Sequence, residues 1–271
     1  MRVGRASGVN AILRVSMTNS QIHPTAIIAV GAELADGVEV GPYAVIEDRV
    51  HVGSGTVIGP HAVIHNHARI GARNRIHAHA VIADTPQDYS FSGEETWVDI
   101  GDDNIIREGV TIHRSIKTDT PTRVGSKCFL MAYSHIAHGC DVGDGVILTN
   151  NVMLAGDVAV GPGAIIGGGT AVHQFCRIGA SAMVSGATGV LKDILPFAVA
   201  MGVPALHHRL NAVGLKRAGV SGARYRALEQ AFRALRGGGK PDFSESTPEL
   251  EQLEAWLNAE SKRGLTGFVR T

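Results

Sequence analysis

The residues best suited to chemistry lie in the second half of the chain. Two histidines, His135 and His138, stand in the segment SHIAHGC, and the segments NNVMLAGDVAVG, IIGGGTAVHQFCRIG and NAVGLKR follow. The unperturbed pKa of an imidazole lies near 6.5, so a histidine can take up and release protons close to neutral pH. These segments could therefore support general acid–base chemistry.

Metal binding is the alternative, because the chain contains 13 histidines. His65 and His67, and likewise His77 and His79, are separated by one residue, so each pair would share one face of a strand as metal ligands do. No third ligand is spaced convincingly, and exposed histidines on the protein surface are the simpler interpretation. We assign no metal and no other cofactor to the site.

The elements that must position these residues are indicated by a period of six. An isoleucine, leucine or valine occupies 26 of the 29 positions spaced by six from Ile22 to Val190, and the exceptions are Asp88, Glu94 and Thr118. A helix has a period of 3.6 and a half-buried strand a period of 2, so neither explains the pattern. Hexapeptide repeats are typical of a β-helix, in which three short strands form one triangular coil of about 18 residues. The sequence predicts an all-β solenoid, a left-handed parallel β-helix.

Small side chains stand four residues after most of these aliphatic residues and leave room for them inside a narrow prism. Three are cysteines, Cys128, Cys140 and Cys176. Cys140 and Cys176 lie two coils apart in one column, about 10 Å, which is too far for a disulfide. We expect buried, reduced thiols.

Two insertions, near 83–98 and 113–123, interrupt the coils without loss of phase. Insertions in solenoids project from one face and often carry the binding site. We expect the β-helix to span residues 21–195 and a C-terminal helical domain to span 196–271, where apolar residues recur at helical spacing. Residues 1–20 are expected to form a disordered extension.

Composition narrows the functional classes. The formal net charge is zero, which gives no general electrostatic reason to expect binding to nucleic acid or to an acidic membrane surface. The chain has no apolar run of about 18 residues, so no membrane span is expected. Its first sixteen residues lack an apolar core long enough for a signal peptide, and Met17 could be the true initiator. We expect a cytoplasmic protein.

With these segments in view, the chain resembles the bacterial UDP-N-acetylglucosamine O-acyltransferases of lipid A biosynthesis. The resemblance covers about residues 20–236 and rests on PQD in the first insertion, IREGVTIHR, HIAH, GGGTAVHQF and the NxxGLKR segment, in that order. Many acyltransferases share hexapeptides, whereas these segments in this order are specific to the family. The resemblance implies transfer of a 3-hydroxyacyl group from acyl carrier protein to the 3-hydroxyl of UDP-N-acetylglucosamine, the first step of the pathway.

The resemblance also implies two catalytic roles. His138 would be the general base that takes the proton from the attacking sugar hydroxyl. Gly156 would offer its backbone N–H to the tetrahedral oxyanion. The repeat supports this pairing independently, because Gly156 follows His138 by 18 residues and should lie one coil further on.

Eight further residues stand at substrate-binding positions of the family, seven as matches and Asp157 as a departure. They are Asp88 for the sugar, His135 as a site histidine, Asp157 after the LAG triplet, His173 and Gln174 along the nucleotide and acyl groove, Asn211 and Arg217 for the nucleotide, and Gly186 at the position that limits acyl length. A glycine at that last position favours a long acyl chain. We expect the acyl tail to run from His138 to Gly186 along one column of coils, roughly 13 Å.

Four positions depart from the family pattern. Gly139 follows His138 where an aspartate is usual, and Asp157 stands where a histidine is frequent. We infer that Asp157, one coil above Gly139, partly supplies the missing carboxylate. Ser90 replaces a familiar lysine and Val213 a frequent glutamate, which leaves open a 3-amino sugar as the acceptor.

Three other functions stay open. The N-acyltransferase that acts later in the same pathway normally carries a uridine-binding domain before its coils, whereas these coils begin by Ile22. A zinc protein like the γ-class carbonic anhydrases shares the coil but does not account for the HIAH segment. A non-catalytic scaffold would not need the Asp88 loop or Gly156. For the acyltransferase, we expect a homotrimer with sites between subunits.

Overall fold

The computed structural model describes residues 21–269, so the expectation for residues 1–20 lies outside the described residues. Most strands contain two or three residues, one facing outward and its neighbour inward. The strands are β1 (Gln21–Ile22), β2 (Ile27–Ile28), β3 (Glu33–Leu34), β4 (Glu39–Val40), β5 (Val45–Ile46), β6 (Val50–Val52), β7 (Val57–Ile58), β8 (Val63–Ile64), β9 (Ala68–Ile70), β10 (Arg75–Ile76), β11 (Val81–Asp84), β12 (Val98–Ile100), β13 (Ile105–Ile106), β14 (Thr111–His113), β15 (Thr122–Val124), β16 (Phe129–Leu130), β17 (His135–Ile136), β18 (Asp141–Val142), β19 (Ile147–Leu148), β20 (Met153–Leu154), β21 (Ala159–Val160), β22 (Ile165–Ile166), β23 (Ala171–Val172), β24 (Arg177–Ile178), β25 (Met183–Val184), β26 (Gly189–Val190), β27 (Ala198–Met201) and β28 (Leu206–Leu210).

From β1 to β26 every third strand joins the same sheet, which gives three sheets of parallel coil strands and a triangular prism; among these strands β28 alone pairs antiparallel, with β27. The first sheet runs from β1 through β4 to β25 and ends with β27 and β28; the second runs from β2 to β26, and the third from β3 to β24. Within each coil the chain passes from the first sheet to the second, then to the third, so the prism has a first–second, a second–third and a third–first edge. The left-handed parallel β-helix expected from the period of six is confirmed.

The inward residues fill the prism. Ile46, Ile64, Ile82, Ile112 and Ile136 are stacked along the second sheet, and each is no more than 1% exposed. Smaller residues fill the adjoining positions, and Cys128, Cys140 and Cys176 are among them, all free and buried as expected. Burial raises the pKa of the Cys140 thiol to about 12 and that of Cys176 to about 11.

The two insertions change the length of a coil by whole hexapeptides. Paired residues in successive coils are normally 18 positions apart, as Val45 and Val63 are, but Ala68 pairs with Val98 and Val98 with Thr122, at 30 and 24 positions. Additions of 12 and 6 residues preserve the phase. The three exceptions to the period of six all fall inside these additions, where no inward side chain is required.

The first insertion is fastened to the coils by charged and aromatic side chains. His67 lies between two guanidinium groups, with its Nδ1 atom 2.8 Å from Arg114 and its Nε2 atom 3.1 Å from Arg49. Arg49 also donates to Glu95 of the insertion at 2.9 Å, and Trp97 packs edge-on against His67 with ring centroids 5.0 Å apart. These contacts fix the segment that carries Asp88.

After the last coil the chain forms a small helical layer. Helices α1 (Ala212–Arg217), α2 (Gly222–Arg236) and α3 (Pro248–Asn258) enclose a second apolar core. Thr247 caps α3 by accepting a hydrogen bond from the N–H of Leu250 at 3.3 Å, as its Thr-Pro sequence favours. Within residues 21–269, no helix has the length and apolar character needed to cross a bilayer.

Candidate active site

The residues expected to catalyse the reaction meet at the second–third edge. Strand β17 ends at Ile136, whose inward side chain fixes the start of the turn, and His138 follows within that turn. One coil further on, β20 ends at Leu154 and Gly156 occupies the same place in its turn, where Asp157 donates its N–H to the carbonyl of His138 at 2.9 Å. The register of the coils therefore stacks Gly156 on His138, as the spacing of 18 residues predicts.

The imidazole of His138 is buried, but its ring nitrogens are not both occupied by hydrogen bonds. Its side chain is 6% exposed, and its Nε2 atom lies 3.4 Å from a carboxylate oxygen of Asp88. Its Nδ1 atom is buried and has no hydrogen-bond partner within residues 21–269. An imidazole without committed bonds can exchange its proton with a ligand that enters the edge.

Asp88 approaches from the first insertion, whereas His138 comes from a coil. One carboxylate oxygen of Asp88 accepts hydrogen bonds from the backbone N–H and the hydroxyl of Ser90, at 2.8 and 2.7 Å. These bonds, and secondarily the charge of His138, lower the pKa of Asp88. The other oxygen faces His138. Ser90, where the resemblance expects a lysine, thus orients the carboxylate.

Gly156 is buried against the His138 ring, and its backbone N–H has no partner among residues 21–269. A Cβ atom at this position would collide with the His138 ring, so only glycine brings the two this close. The N–H of Gly156 donates to no acceptor in the described part of the chain. A free, fixed N–H beside an imidazole is the arrangement that stabilises an oxyanion.

Asp157 does not orient His138, which corrects the inference from the sequence. Its carboxylate forms an ion pair with Lys117 of the second insertion. It does lie over Gly139, since a Cβ on that glycine would be 2.7 Å from a carboxylate oxygen of Asp157. The coil position was therefore right, but the partner is a lysine that the sequence analysis did not single out.

A second pair of histidines stands beside the edge, on the second sheet. His135 forms a hydrogen bond with the hydroxyl of Thr111 through Nδ1 at 2.7 Å, and its ring packs edge-on against His113 with centroids 4.9 Å apart. Burial, helped by the charges of His113 and His138, lowers the pKa of His135 to about 4. Burial also lowers the pKa of His113, and the negative charge of Asp84 offsets this only in part. His135 is thus held neutral near pH 7.

His173 and Gln174 continue the second–third edge, one coil above Gly156. His173 is exposed, and its Nδ1 atom lies 3.1 Å from the carbonyl of Gln174. The N–H of Phe175 in the same turn donates to the carbonyl of Gly156 at 3.1 Å. Both residues therefore extend the surface next to His138, and their place along the nucleotide and acyl groove stays a prediction.

Gly186 lies elsewhere, which corrects the expected path of the acyl tail. It follows β25 and stands at the first–second edge, above Gly168, whereas His138 follows β17 at the second–third edge. The two residues are 48 positions apart, which is two full coils of 18 residues and two thirds of a third coil. Because each third of a coil leads to the next edge, the last two thirds place Gly186 at a different edge from His138. No single column within one chain contains both residues.

The two predicted nucleotide residues lie at the third–first edge and beyond it. Asn211 caps α1 by accepting from the N–H of Gly214 at 3.1 Å, and its amide donates to the carbonyl of Ser181 at 2.9 Å. Arg217 ends α1 with its side chain exposed. Neither is next to His138 within one chain.

The histidine pairs considered for metal binding do not share a strand face. They lie in turns after β8 and β10, and their partners differ: His65 pairs with Glu47 at 3.1 Å, while His79 stacks on His61 with centroids 5.1 Å apart. No group of three or more potential metal ligands occurs within residues 21–269.

Three residues of the site were assigned no role in it from the sequence. His113 stands in the quoted segment IREGVTIHR, so its position 24 residues before Ala137 could have placed it one coil below the HIAH segment. Ser90 and Lys117 lie in the insertions, where the period gives no positions.

The sequence of this chain matches two known family profiles. The family profile described as "Udp N-acetylglucosamine O-acyltransferase; Domain 2" matches residues 193–270, and the profile of the bacterial transferase hexapeptide matches 49–84 and 121–156. The matched segments comprise the C-terminal layer and two stretches of the coils.

Individual relatives match between 79% and 91% of this chain. An acyl-[acyl-carrier-protein]–UDP-N-acetylglucosamine O-acyltransferase of Thiobacillus denitrificans is 53% identical over 79% of this chain and 83% of its own length. One from Alkalilimnicola ehrlichii is 50% identical over 91% and 99%. The crystal structure of UDP-N-acetylglucosamine O-acyltransferase from Moraxella catarrhalis superimposes with a TM-score of 0.87 at 41% identity, covering 90% of this chain and 99% of that one.

Proposed function

The chain belongs to the family of UDP-N-acetylglucosamine O-acyltransferases, and on that premise we propose how its residues carry out the reaction. It transfers an acyl group from acyl carrier protein to UDP-N-acetylglucosamine in lipid A biosynthesis. The observation that carries the mechanism is the stacking of Gly156 on His138 with Asp88 3.4 Å away.

The proposed base is His138. It takes the proton of the sugar 3-hydroxyl as that oxygen attacks the thioester carbon of the donor. The carbonyl electrons move onto oxygen, and the N–H of Gly156 binds the oxyanion. When the carbonyl re-forms, the C–S bond breaks and His138 returns the proton to the departing thiolate.

Asp88 is proposed to bind the sugar. Ser90 occupies only one of its carboxylate oxygens, so the other can accept a hydrogen bond from a sugar hydroxyl or from the protonated His138. Its lowered pKa keeps the group ionised at neutral pH and therefore an acceptor. The loop thus delivers the sugar hydroxyl to the base.

We further propose a homotrimer, because the three sheets differ in their outward residues. On the third sheet these are mostly charged: Glu33, His51, Arg69, Asp99, Arg123, Asp141, Ala159 and Arg177. On the second sheet most are apolar: Ile27, Val45, Val63, Val81, Thr111, His135, Met153 and Ala171. On the part of the first sheet from β13 to β25, the outward residues are Ile105, Phe129, Ile147, Ile165 and Met183. Two apolar faces meeting at one edge suit threefold packing of the first sheet of one copy against the second sheet of the next.

The distribution of site residues supports the same assembly. His138, Gly186 and Asn211 lie at three different edges of one prism. Only neighbouring copies can bring such edges together around a single substrate. We propose sites in which one copy supplies His138 and another supplies Asn211 and Arg217. The three free cysteines also fit a reducing compartment, and we propose a cytoplasmic location.

Mixed trimers test the shared site. His138→Ala and Arg217→Ala proteins should each be nearly inactive, and co-refolding them should restore about one quarter of the wild-type activity, because one ordered pair of copies in four carries both intact residues. Each variant refolded alone is the control. No recovery from trimers confirmed by sedimentation, or a monomer under active conditions, would rule out the shared site.

Product analysis tests the reaction. The purified protein, 3-hydroxyacyl carrier proteins and UDP-N-acetylglucosamine should yield a product whose acyl bond is cleaved by mild alkali, as an ester is. The same assay with the 3-amino sugar nucleotide forms an alkali-stable amide if that acceptor is used. Preference for the amino sugar would overturn the assignment of the hydroxyl acceptor.

A further inference from the structure

The ion pair between Lys117 and Asp157 is placed next to the proposed oxyanion site. Asp157 directly follows Gly156, and its side chain is only 12% exposed. Its backbone is in the left-handed region at φ 56°, and its N–H is bonded to the carbonyl of His138. Asp157 therefore holds the two coils of the site together through its backbone and adds a negative charge beside the amide.

A carboxylate at that place opposes the reaction unless it is neutralised. The tetrahedral intermediate carries a negative charge on oxygen, and two like charges in a poorly hydrated turn repel each other. Lys117 reaches over from the second insertion and binds the carboxylate. The insertion is also held at its other end, where Thr122 accepts a hydrogen bond from the N–H of Gly139 at 2.8 Å.

We propose that Lys117 is a positioning residue of the acyl transfer, which neutralises Asp157 so that the N–H of Gly156 can stabilise the oxyanion. The inference rests on the proposed roles of His138 and Gly156. It makes the second insertion part of the active site, although the insertion lends no group to the reacting atoms. Its effect acts on the transition state, so it changes kcat and leaves substrate binding nearly unaltered.

Four variants test it by steady-state kinetics. Lys117→Met should lower kcat about tenfold with KM within about twofold, because an uncompensated carboxylate then lies in the turn that binds the oxyanion. Lys117→Arg keeps the charge and should keep the rate. Removing both charges in Lys117→Met/Asp157→Asn should restore kcat to within about threefold of wild type, since asparagine also tolerates the left-handed backbone. Asp157→Asn alone completes the cycle, and it should not reproduce the tenfold loss.

Arg73→Met provides the matched control. Arg73 pairs with Asp103 at 2.7 Å across the insertion-bearing coil at the third–first edge, and Asp103 likewise has a left-handed backbone at φ 59°. This change should leave kcat unaltered. An unaltered kcat in Lys117→Met, or a double variant as slow as Lys117→Met, would overturn the proposal. Full activity of His138→Ala would instead overturn the mechanism on which it rests, so the two failures are distinguishable.

Discussion

Asp193 and Asp88 each lie close to a basic side chain, but the protein occupies their carboxylate oxygens to different extents. Asp193 joins the last coil to the C-terminal layer and is fully buried. One of its oxygens accepts from the N–H of Arg177 at 2.8 Å, and the other from the guanidinium of Arg177 at 2.8 Å and the hydroxyl of Ser261 at 2.6 Å. Asp88 is partly exposed, and its second oxygen faces His138 at 3.4 Å.

The comparison separates a structural from a functional polar group. Both carboxylate oxygens of the buried Asp193 accept hydrogen bonds from the protein itself, which stabilises one arrangement of the junction. Asp88, His138 and the N–H of Gly156 keep unused capacity in one place. An active site must leave such capacity open for its substrate, and the rigid coils allow it to do so.

The largest effect is expected at the junction. Asp193→Ala leaves the charge of Arg177, whose side chain is only 19% exposed, without its partner. We expect the free energy of unfolding to fall by about 3–5 kcal/mol, while the folded fraction keeps its kcat. Urea unfolding measures the first and active-site titration the second. Asp103→Ala, in an exposed pair, is the control and should hardly shift the midpoint.

The next effect is expected at the site. His138→Ala should lower turnover at least about a hundredfold, the low end for loss of a general base, with an unchanged unfolding midpoint. Initial rates with saturating substrates measure the turnover, and thermal unfolding measures the midpoint. If the variant instead lost stability and kept its rate, His138 would belong with Asp193 as a structural group. Metal chelation should leave the wild-type rate unaltered.

The buried His207 should make the stability of the fold depend on pH. Burial lowers the pKa of His207, in the C-terminal core, to about 4 from about 6.5 in the unfolded chain. Its neutral form therefore stabilises the fold above pH 6.5, and this contribution is lost as pH falls towards 4. Between pH 7.5 and 5 the loss amounts to about 2 kcal/mol. His207→Gln should reduce the pH dependence of unfolding by that amount, and an unaltered dependence would contradict the shift.

The smallest effect is expected at Gly186, where the absence of a side chain leaves space at the first–second edge. A Cβ on Gly186 would lie 3.2 Å from the carbonyl of Gly168 and otherwise meet only glycine backbone, so a longer side chain would project over the edge. Gly186→Met should shift donor preference from fourteen to ten carbons at least about tenfold, because each excluded methylene forfeits about 0.8 kcal/mol of burial. Competition between the two donors measures it. An unchanged preference would place the acyl tail away from the first–second edge.

The sequence predicted much of the site because the coil itself is periodic. A spacing of 18 residues placed Gly156 on His138 and Asp157 over Gly139 without any structure. The same rule misplaced Gly186, since 48 is not a multiple of 18 and the path of the acyl tail was assumed to follow one column. The roles assigned to these residues stay predictions until the variants are measured.

Residues outside the repeat could not be placed in this way. The partner of Asp157 is Lys117, 40 positions earlier in an insertion, and the partner of Asp88 is Ser90. No spacing rule relates a loop side chain to a coil, because the loop's path depends on contacts such as those of His67 with Arg49 and Arg114.

Local periodicity by itself determined the architecture. An aliphatic residue at every sixth position can be buried only if the chain turns after each short strand, so the coils, their stacking and the neighbours of each turn residue follow from the order of side chains. Tertiary structure decided which edge each turn occupies, which charges meet across insertions and which polar groups stay unpaired. Those outcomes depend on three-dimensional packing between segments far apart in the chain, such as Asp193 with Ser261 and Lys117 with Asp157.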